Sequence, residues 1–240
     1  MKFLPRDERR SIGIIAGSGP EAGVDLWQKV IKAAKHLLDK DYGGDLDAPE
    51  VRIISSPPLG LSMELAQNDH LVWPEIKKCV SELSLTCDYI AIACNTLNYY
   101  ETQIRHLPDA AEMISMGDVV TGYLTQTGRK RVALLGSTAV TNLDDWSAYR
   151  SLTENFDVET PDQPDRLHQV IYDVKCYGGD HPEMVETYEA LVKSLKAQTV
   201  LLACTELPLI QHSLKEKELI DVTQLLAEAL VQKVYDPQAN

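Results

Sequence analysis

The chain has 240 residues, of which 44% are hydrophobic, and a formal net charge of −13. This length can bury a large core in one or two domains. The acidity disfavours nucleic acids and anionic membranes as partners, and an anionic substrate would need a local positive site. The start of the chain lacks a signal-peptide core, and no stretch reaches the roughly 20 apolar residues of a membrane helix, so we expect a cytoplasmic protein.

Short apolar runs alternate along the chain with longer amphipathic stretches. The runs predict strands buried on both faces: Ile12–Ala16, Val51–Ile54, Tyr89–Ala93, Met113–Met116, Val132–Leu135 and Val200–Ala203. Helices are predicted over about 21–39, 73–83, 98–105, 119–126, 183–195 and 222–235. The turn-rich segment 157–164 is predicted to be a surface loop. Strands alternating with helices indicate an α/β fold with mostly parallel sheets.

A weak internal repeat relates the two halves of the chain. Residues 10–18 and 130–137 each contain a basic residue, an apolar strand and then Gly-Ser. Residues 88–96 and 199–206 each contain an apolar strand followed by Ala-Cys and polar residues. The repeat predicts two related α/β lobes that face one another, with the two cysteines at equivalent strand ends.

The cysteines number five: Cys79, Cys87, Cys94, Cys176 and Cys204. An odd number without a CxxC pair argues against disulfides and against a zinc site, so no metal is predicted. Cys79 and Cys87 are predicted to be buried packing residues. Cys176 is either structural or part of a pocket. Because Cys94 and Cys204 recur at one position of each half, we predict that they are catalytic.

Two facing cysteines suit the inversion of a carbon stereocentre, in which a thiolate removes a proton from one face and a thiol delivers one to the other. Each cysteine precedes a predicted helix, whose dipole is expected to lower the thiol pKa. The carboxylate of such a substrate needs hydrogen-bond donors as charge builds on it. The candidate donors lie beside the cysteines and in the loop after the first strand: Gly17, Ser18, Asn95, Thr96, Ser137, Thr138 and Thr205.

At these residues the chain resembles the aspartate/glutamate racemase superfamily, most closely its aspartate racemase branch. The resemblance rests on Ala16-Gly17-Ser18-Gly19-Pro20, Cys94-Asn95-Thr96 and Cys204-Thr205-Glu206, and it covers nearly the whole chain. It implies a two-cysteine racemase without a cofactor, acting on aspartate or a related small amino acid or carboxylate. It also implies a homodimer of chains with two pseudo-symmetric Rossmann-like lobes and an active site in the cleft between them. The last helix would return to the first lobe, which would comprise residues 1–115 and 210–240, with 116–209 in the second.

The chain departs from the family pattern at three places. Ser18 stands where the family usually has Met, and the stretch Pro58–Ser62 lacks the Arg of aspartate racemases. A family Lys aligns with Cys176 without a gap, or with Lys175 after a slip of one residue. Without the Arg, the substrate side chain could be neutral or apolar instead of a carboxylate.

Other functions stay open at this point. The superfamily includes isomerases and decarboxylases that act on small dicarboxylates. Decarboxylase relatives keep one of the two cysteines, so the presence of both disfavours that reaction. A catalytically silent small-molecule-binding protein on the same fold is a further alternative, suggested by the changed Arg and Met positions.

Overall fold

The computed structural model describes residues 3–236, so residues 1–2 and 237–240 of the predicted first lobe lie outside the described part. The strands are β1 (Ile12–Ala16), β2 (Val51–Ser55), β3 (Tyr89–Ile92), β4 (Glu112–Met113), β5 (Arg131–Gly136), β6 (Asp157–Glu159), β7 (Thr199–Ala203) and β8 (Glu218–Asp221). The helices are α1 (Pro20–Leu38), α2 (Leu65–Ser84), α3 (Glu101–Arg105), α4 (Met116–Thr127), α5 (Thr138–Thr141), α6 (Pro164–Tyr177), α7 (Pro182–Ser194) and α8 (Val222–Tyr235).

Two four-stranded parallel sheets organise the described residues. Their strand orders are β2-β1-β3-β4 and β6-β5-β7-β8, so each strand of the first sheet has an equivalent in the second. The predicted α/β fold with two pseudo-symmetric lobes is confirmed. Strand β8 completes the second sheet, whereas α8 packs against α1 and α4. The residue boundaries of the two lobes stay a prediction.

The inner strands β1, β3, β5 and β7 are almost entirely buried, as their apolar sequences predict. Strand β2 differs because it lies at the edge of its sheet, where Arg52 and Ile53 are exposed, so the prediction that it is buried on both faces was wrong. One hydrophobic cluster contains residues of both sheets together with α1, α4 and α8. The lobes therefore share part of their core.

Several element boundaries differ from the sequence predictions. The loop predicted at 157–164 begins with the three-residue strand β6, and β8 and α6 were not predicted. The strand predicted at Met113–Met116 is shorter and ends at Met113, because Met116 already begins α4. Ser115 caps this helix, since its Oγ accepts from the backbone N–H of Asp118 at 3.1 Å. Helix α2 begins at Leu65, eight positions before its predicted start, and continues through Pro74.

The register of the sheets brings the two cysteines to equivalent positions in the two sheets. Ile15 pairs with Ile92 across β1 and β3, and Gly136 pairs with Ala203 across β5 and β7. Cys94 follows β3 after one residue, and Cys204 follows β7 directly. Both cysteines therefore lie at the carboxyl ends of inner strands. In open parallel sheets this edge is where ligands bind. No helix within residues 3–236 is long and apolar enough to cross a membrane.

Candidate active site

Cys94 lies against a pair of serine hydroxyls from the first lobe. Its side chain is buried, and its Sγ donates to Ser18 Oγ at 3.4 Å. Ser18 Oγ lies 2.6 Å from Ser62 Oγ, and Ser62 Oγ lies 4.0 Å from the sulfur. Ser62 belongs to the stretch in which the family Arg is missing, and it is fully buried beneath the cysteine. The hydrogen-bonding groups at this thiol are therefore neutral hydroxyls.

The loop that carries Ser18 depends on the glycines on either side of it. Gly17 has φ 117°, and a Cβ there would lie 2.1 Å from the carbonyl oxygen of Ser56. Gly19 has φ 84°, and a Cβ there would lie 2.7 Å from Glu206 Oε1 and 3.1 Å from Lys175 Nζ. Only glycine fits such backbone conformations and approaches without strain. The loop of the first lobe therefore reaches the polar groups of the second.

Cys204 has a charged environment instead. Its Sγ donates to Glu206 Oε2 at 2.9 Å, and Thr205 Oγ1 donates to the same oxygen at 3.0 Å. The other oxygen, Glu206 Oε1, lies 2.5 Å from Lys175 Nζ. Glu206 is buried and Lys175 is mostly buried, so solvent screens this pair weakly. The carboxylate thus joins the cysteine to the ammonium group.

This environment shifts the protonation equilibria of the site. Burial raises the pKa of Cys204 well above its usual value, and the neighbouring Glu206 carboxylate raises it further. Burial acts to lower the pKa of Lys175, but Glu206 and the sulfurs of Cys204 and Cys94 raise it above its usual value overall. The resting state therefore has a Cys204 thiol beside a Lys175 ammonium.

The expectation that a helix dipole lowers the pKa is wrong for Cys204. The segment after it is the three-residue 3₁₀ turn Leu207–Leu209, and Cys94 is likewise followed by a 3₁₀ turn, Thr96–Tyr100. So few aligned peptides sum to a small dipole, and burial beside a carboxylate outweighs it.

The remaining predicted site residues divide into two groups. Thr96 Oγ1 lies 2.9 Å from Ser137 Oγ, which connects the two lobes beside the cysteines. Asn95 is buried, and its Oδ1 accepts a hydrogen bond from Tyr149. Thr138 instead bonds through Oγ1 to His168 Nδ1 at 3.0 Å, and it makes no hydrogen bond to the residues around the thiols among those described.

Sequence reasoning missed Tyr149 and left the roles of Glu206 and Lys175 open. The structure places Lys175 in the cleft and leaves Cys176 exposed. The pattern of α6 contains the signal, because Lys175 follows the fully buried Ile171 by four residues and so shares its inward face. Cys79 and Cys87 are buried in the first lobe, as predicted for packing residues.

A cavity of about 270 Å³ opens beside Lys175 and Glu206. Its wall combines apolar side chains with a few charged ones: Gly19, Pro20, Glu21, Ala22, Gly60, Met63, Tyr172, Lys175, Thr205, Glu206 and Leu209. Lys175 is the one cation in this lining, against the two carboxylates of Glu21 and Glu206. Among residues 3–236, no group of three or more His, Cys, Asp and Glu side chains is arranged to hold a metal ion.

Comparison with known proteins gives a family match and similar proteins. Residues 15–230 match the Asp/Glu/Hydantoin racemase family. The broad specificity amino-acid racemase RacX of Bacillus subtilis (strain 168) is 24% identical over 232 residues, covering 92% of this chain and 96% of that protein. A second relative, an uncharacterised protein of Pectobacterium carotovorum subsp. carotovorum, is 29% identical over 130 residues, which is 51% of this chain and 85% of that protein.

Solved structures share the two-lobed fold. The aspartate racemase of Picrophilus torridus superposes with a TM-score of 0.75 at 26% identity, covering 93% of this chain and 94% of that one. An aspartate racemase homologue from Pyrococcus horikoshii OT3 superposes with a TM-score of 0.71 at 22% identity, covering 93% and 98%. The resemblance inferred from the two cysteine motifs is confirmed, and the chain belongs to the Asp/Glu/Hydantoin racemase family.

Proposed function

We propose that the protein is a cofactor-independent amino-acid racemase in which Cys94 and Cys204 exchange protons with opposite faces of the substrate α-carbon. The observation that carries the proposal is the pair of buried thiols at the carboxyl ends of equivalent strands, β3 and β7, in two sheets of the same order. Lys175 interacts electrostatically with both sulfurs, which supports a single site. Family membership supports the reaction class.

The proton balance of the cycle needs one thiolate and one thiol. In one direction the Cys94 thiolate removes the α-proton and becomes a thiol, while the Cys204 thiol protonates the opposite face and becomes a thiolate. The product therefore leaves the two sulfurs with exchanged roles, and the reverse reaction restores them. The raised pKa of Cys204 favours the state in which it is the acid. The Lys175 ammonium lowers the cost of the single negative charge that the sulfurs share.

Removal of an α-proton also loads negative charge onto the substrate carboxylate, which must be stabilised. Lys175 has one hydrogen bond among the described residues, to Glu206, so its other N–H groups are available. The buried Asn95 Nδ2 is a second donor without a partner among these residues. We assign the substrate carboxylate to these two groups, with Thr96, Ser137 and Thr205 nearby.

The charges that line the cavity favour a substrate with a single carboxylate. One ammonium faces two carboxylates there, and Glu206 is already shared by Lys175, Thr205 and Cys204. A second substrate carboxylate would meet Glu21 without a cation to pair with. We therefore propose a neutral or cationic side chain in preference to that of aspartate.

A panel of L- and D-amino acids in deuterated water, followed by mass spectrometry, tests the proposal. It should include alanine, norleucine, lysine and aspartate, which differ in size and charge. We expect deuterium at the α-position of at least one amino acid, with faster exchange for the monocarboxylates than for aspartate. Binding that stabilises the protein without any α-exchange would contradict racemisation and favour a silent binding protein. Turnover of maleate alone would instead indicate a dicarboxylate isomerase.

A further inference from the structure

A buried amide in the cleft has a donor that no residue in the described part of the chain uses. Asn95 is 3% exposed, and within the described residues its Nδ2 has no hydrogen-bond partner. Buried polar groups in folded proteins are nearly always paired, so an orphaned amide at a ligand-binding edge indicates a partner that arrives with the ligand. Because Nδ2 can only donate, that partner is an acceptor such as a carboxylate oxygen.

The other end of the same amide is held by Tyr149. The Tyr149 hydroxyl donates to Asn95 Oδ1, and the tyrosine is fully buried. Its backbone N–H donates to Ser147 Oγ at 3.2 Å, and its carbonyl accepts from Leu152 N–H at 3.0 Å. Burial and these bonds hold the residue in place, and its hydroxyl connects the segment after α5 to the loop after β3.

We propose that Tyr149 is a positioning residue for substrate binding: by donating to Asn95 Oδ1 it fixes the amide orientation in which Nδ2 donates to the substrate carboxylate. This inference rests on the proposed function, because it takes the amino-acid carboxylate as the acceptor. An asparagine amide free to rotate by half a turn would present its oxygen to that carboxylate instead, which is repulsive. The hydroxyl of Tyr149 selects between the two orientations.

The phenol can keep this role while the sulfurs change charge. Burial raises the pKa of Tyr149 well above its usual value, and the negative charges on Cys94 and Cys204 raise it further. Tyr149 therefore stays protonated when either thiolate forms. Its proton is committed to Asn95, so the phenol holds the amide in both halves of the reaction.

The test is Tyr149→Phe, with Tyr188→Phe as a matched control. Tyr188 is also fully buried, but its hydroxyl has no partner among the described residues and lies in the core of the second lobe. For the most active amino acid of the panel, we expect Tyr149→Phe to raise KM about five- to tenfold, the loss of one neutral hydrogen bond. The pH profile should be unchanged. Tyr188→Phe should leave KM and kcat as in the unmodified protein.

A double-mutant cycle with Asn95→Ala shows whether Tyr149 acts through the amide. We expect Tyr149→Phe to have no further effect on KM once Asn95 is alanine. The Cys94→Ala/Cys204→Ala protein is expected to bind the amino acid without reaction, so its Kd reports binding alone. Adding Tyr149→Phe to this protein should raise the Kd by the same factor as the KM.

The outcomes separate the inference from the function on which it rests. An unchanged KM in Tyr149→Phe, or equal effects with and without the Asn95 side chain, would overturn the positioning role while leaving racemisation intact. A loss confined to kcat with an altered pH profile would overturn it in favour of a proton relay. Absence of α-exchange in the unmodified protein would contradict the proposed function itself.

Discussion

The two lobes have the same strand order but surround their cysteines with different chemistry. In the first lobe Cys94 contacts the hydroxyl of Ser18, with Ser62 behind it. In the second lobe Cys204 contacts the Glu206 carboxylate, which is paired with Lys175. The repeated sheet places each sulfur, whereas the loops and α6 decide which groups it contacts.

In the proposed mechanism, this difference lets a pseudo-symmetric fold hold an asymmetric acid–base pair. Inversion needs two groups on opposite faces of the substrate, a role we propose for the two repeated cysteines, and it needs one of them to start protonated. Burial of Cys204, together with the neighbouring Glu206 carboxylate, meets the second need by raising the pKa of that thiol. We therefore expect substitutions around the two cysteines to differ in kind, although the proposed mechanism requires both thiols.

The largest effect should come from the cysteines themselves. Cys94→Ala and Cys204→Ala should each lower racemisation by about 10²–10⁴-fold, the usual contribution of a positioned acid or base. Enantiomeric conversion followed by circular dichroism measures this. The exposed Cys176→Ala is the matched control and should keep full activity. Full activity in Cys94→Ala or in Cys204→Ala would refute the paired mechanism.

Removal of the cation should have the next largest effect. Lys175→Gln should weaken substrate binding by about ten- to a hundredfold, because a charge-assisted hydrogen bond to the carboxylate is lost. Steady-state KM with the preferred amino acid is the measurement. Lys193→Gln is a suitable control, since Lys193 also pairs with a glutamate, Glu189, but at the exposed surface. Equal KM values in the two variants would mean that Lys175 is only structural.

Replacement of the carboxylate beside Cys204 should change the pH dependence of the reaction rate. Glu206→Gln removes the negative charge that disfavours the thiolate, so the pKa of Cys204 should fall. The alkaline limb of the rate in the direction that uses Cys204 as acid should move to lower pH. Thiolate absorbance in the ultraviolet measures the titration, with Cys204→Ala to identify the signal. An upward shift, or none, would contradict the assigned role of Glu206.

The smallest effect should come from the serine hydroxyls beside Cys94. Ser62→Ala removes the partner of Ser18 beneath Cys94 without changing any charge. We expect a loss in kcat/KM of about two- to fivefold and a destabilisation of about 1 kcal/mol, typical of one buried neutral hydrogen bond. Kinetics and thermal unfolding measure the two changes, and Ser194→Ala on α7 should leave the kinetics unchanged. A loss as large as that of Lys175→Gln would remove the proposed difference between the lobes.

Most of the sheet framework could be predicted because the inner strands are continuous apolar runs. Strands β1, β3, β5 and β7 have this pattern, and α8 was predicted with its observed limits. Strand β6, Asp157–Glu159, has one apolar residue and is held by its pairing with β5, which its own sequence does not encode. Tertiary pairing decides such short edge strands.

The position of the candidate site could be predicted where it coincides with the repeat. Cys94 and Cys204 recur in the two halves, so a single sequence marks them. Tyr149 is not part of the repeat that marks the cysteines, and it lies in an irregular segment. Only the folded chain brings its hydroxyl to Asn95. Burial beside Glu206 likewise reversed the expected direction of the Cys204 pKa, since the carboxylate's orientation cannot be read from its position in the motif.

Isotope incorporation at low conversion tests the two-cysteine mechanism most directly. Each enantiomer of the preferred amino acid is incubated separately in deuterated water, and both enantiomers are recovered and weighed by mass spectrometry. If Cys94 and Cys204 act on opposite faces, the newly formed enantiomer carries one deuterium while the recovered starting enantiomer stays unlabelled. Deuterium entering both enantiomers at equal rates would indicate a single base and would contradict the mechanism.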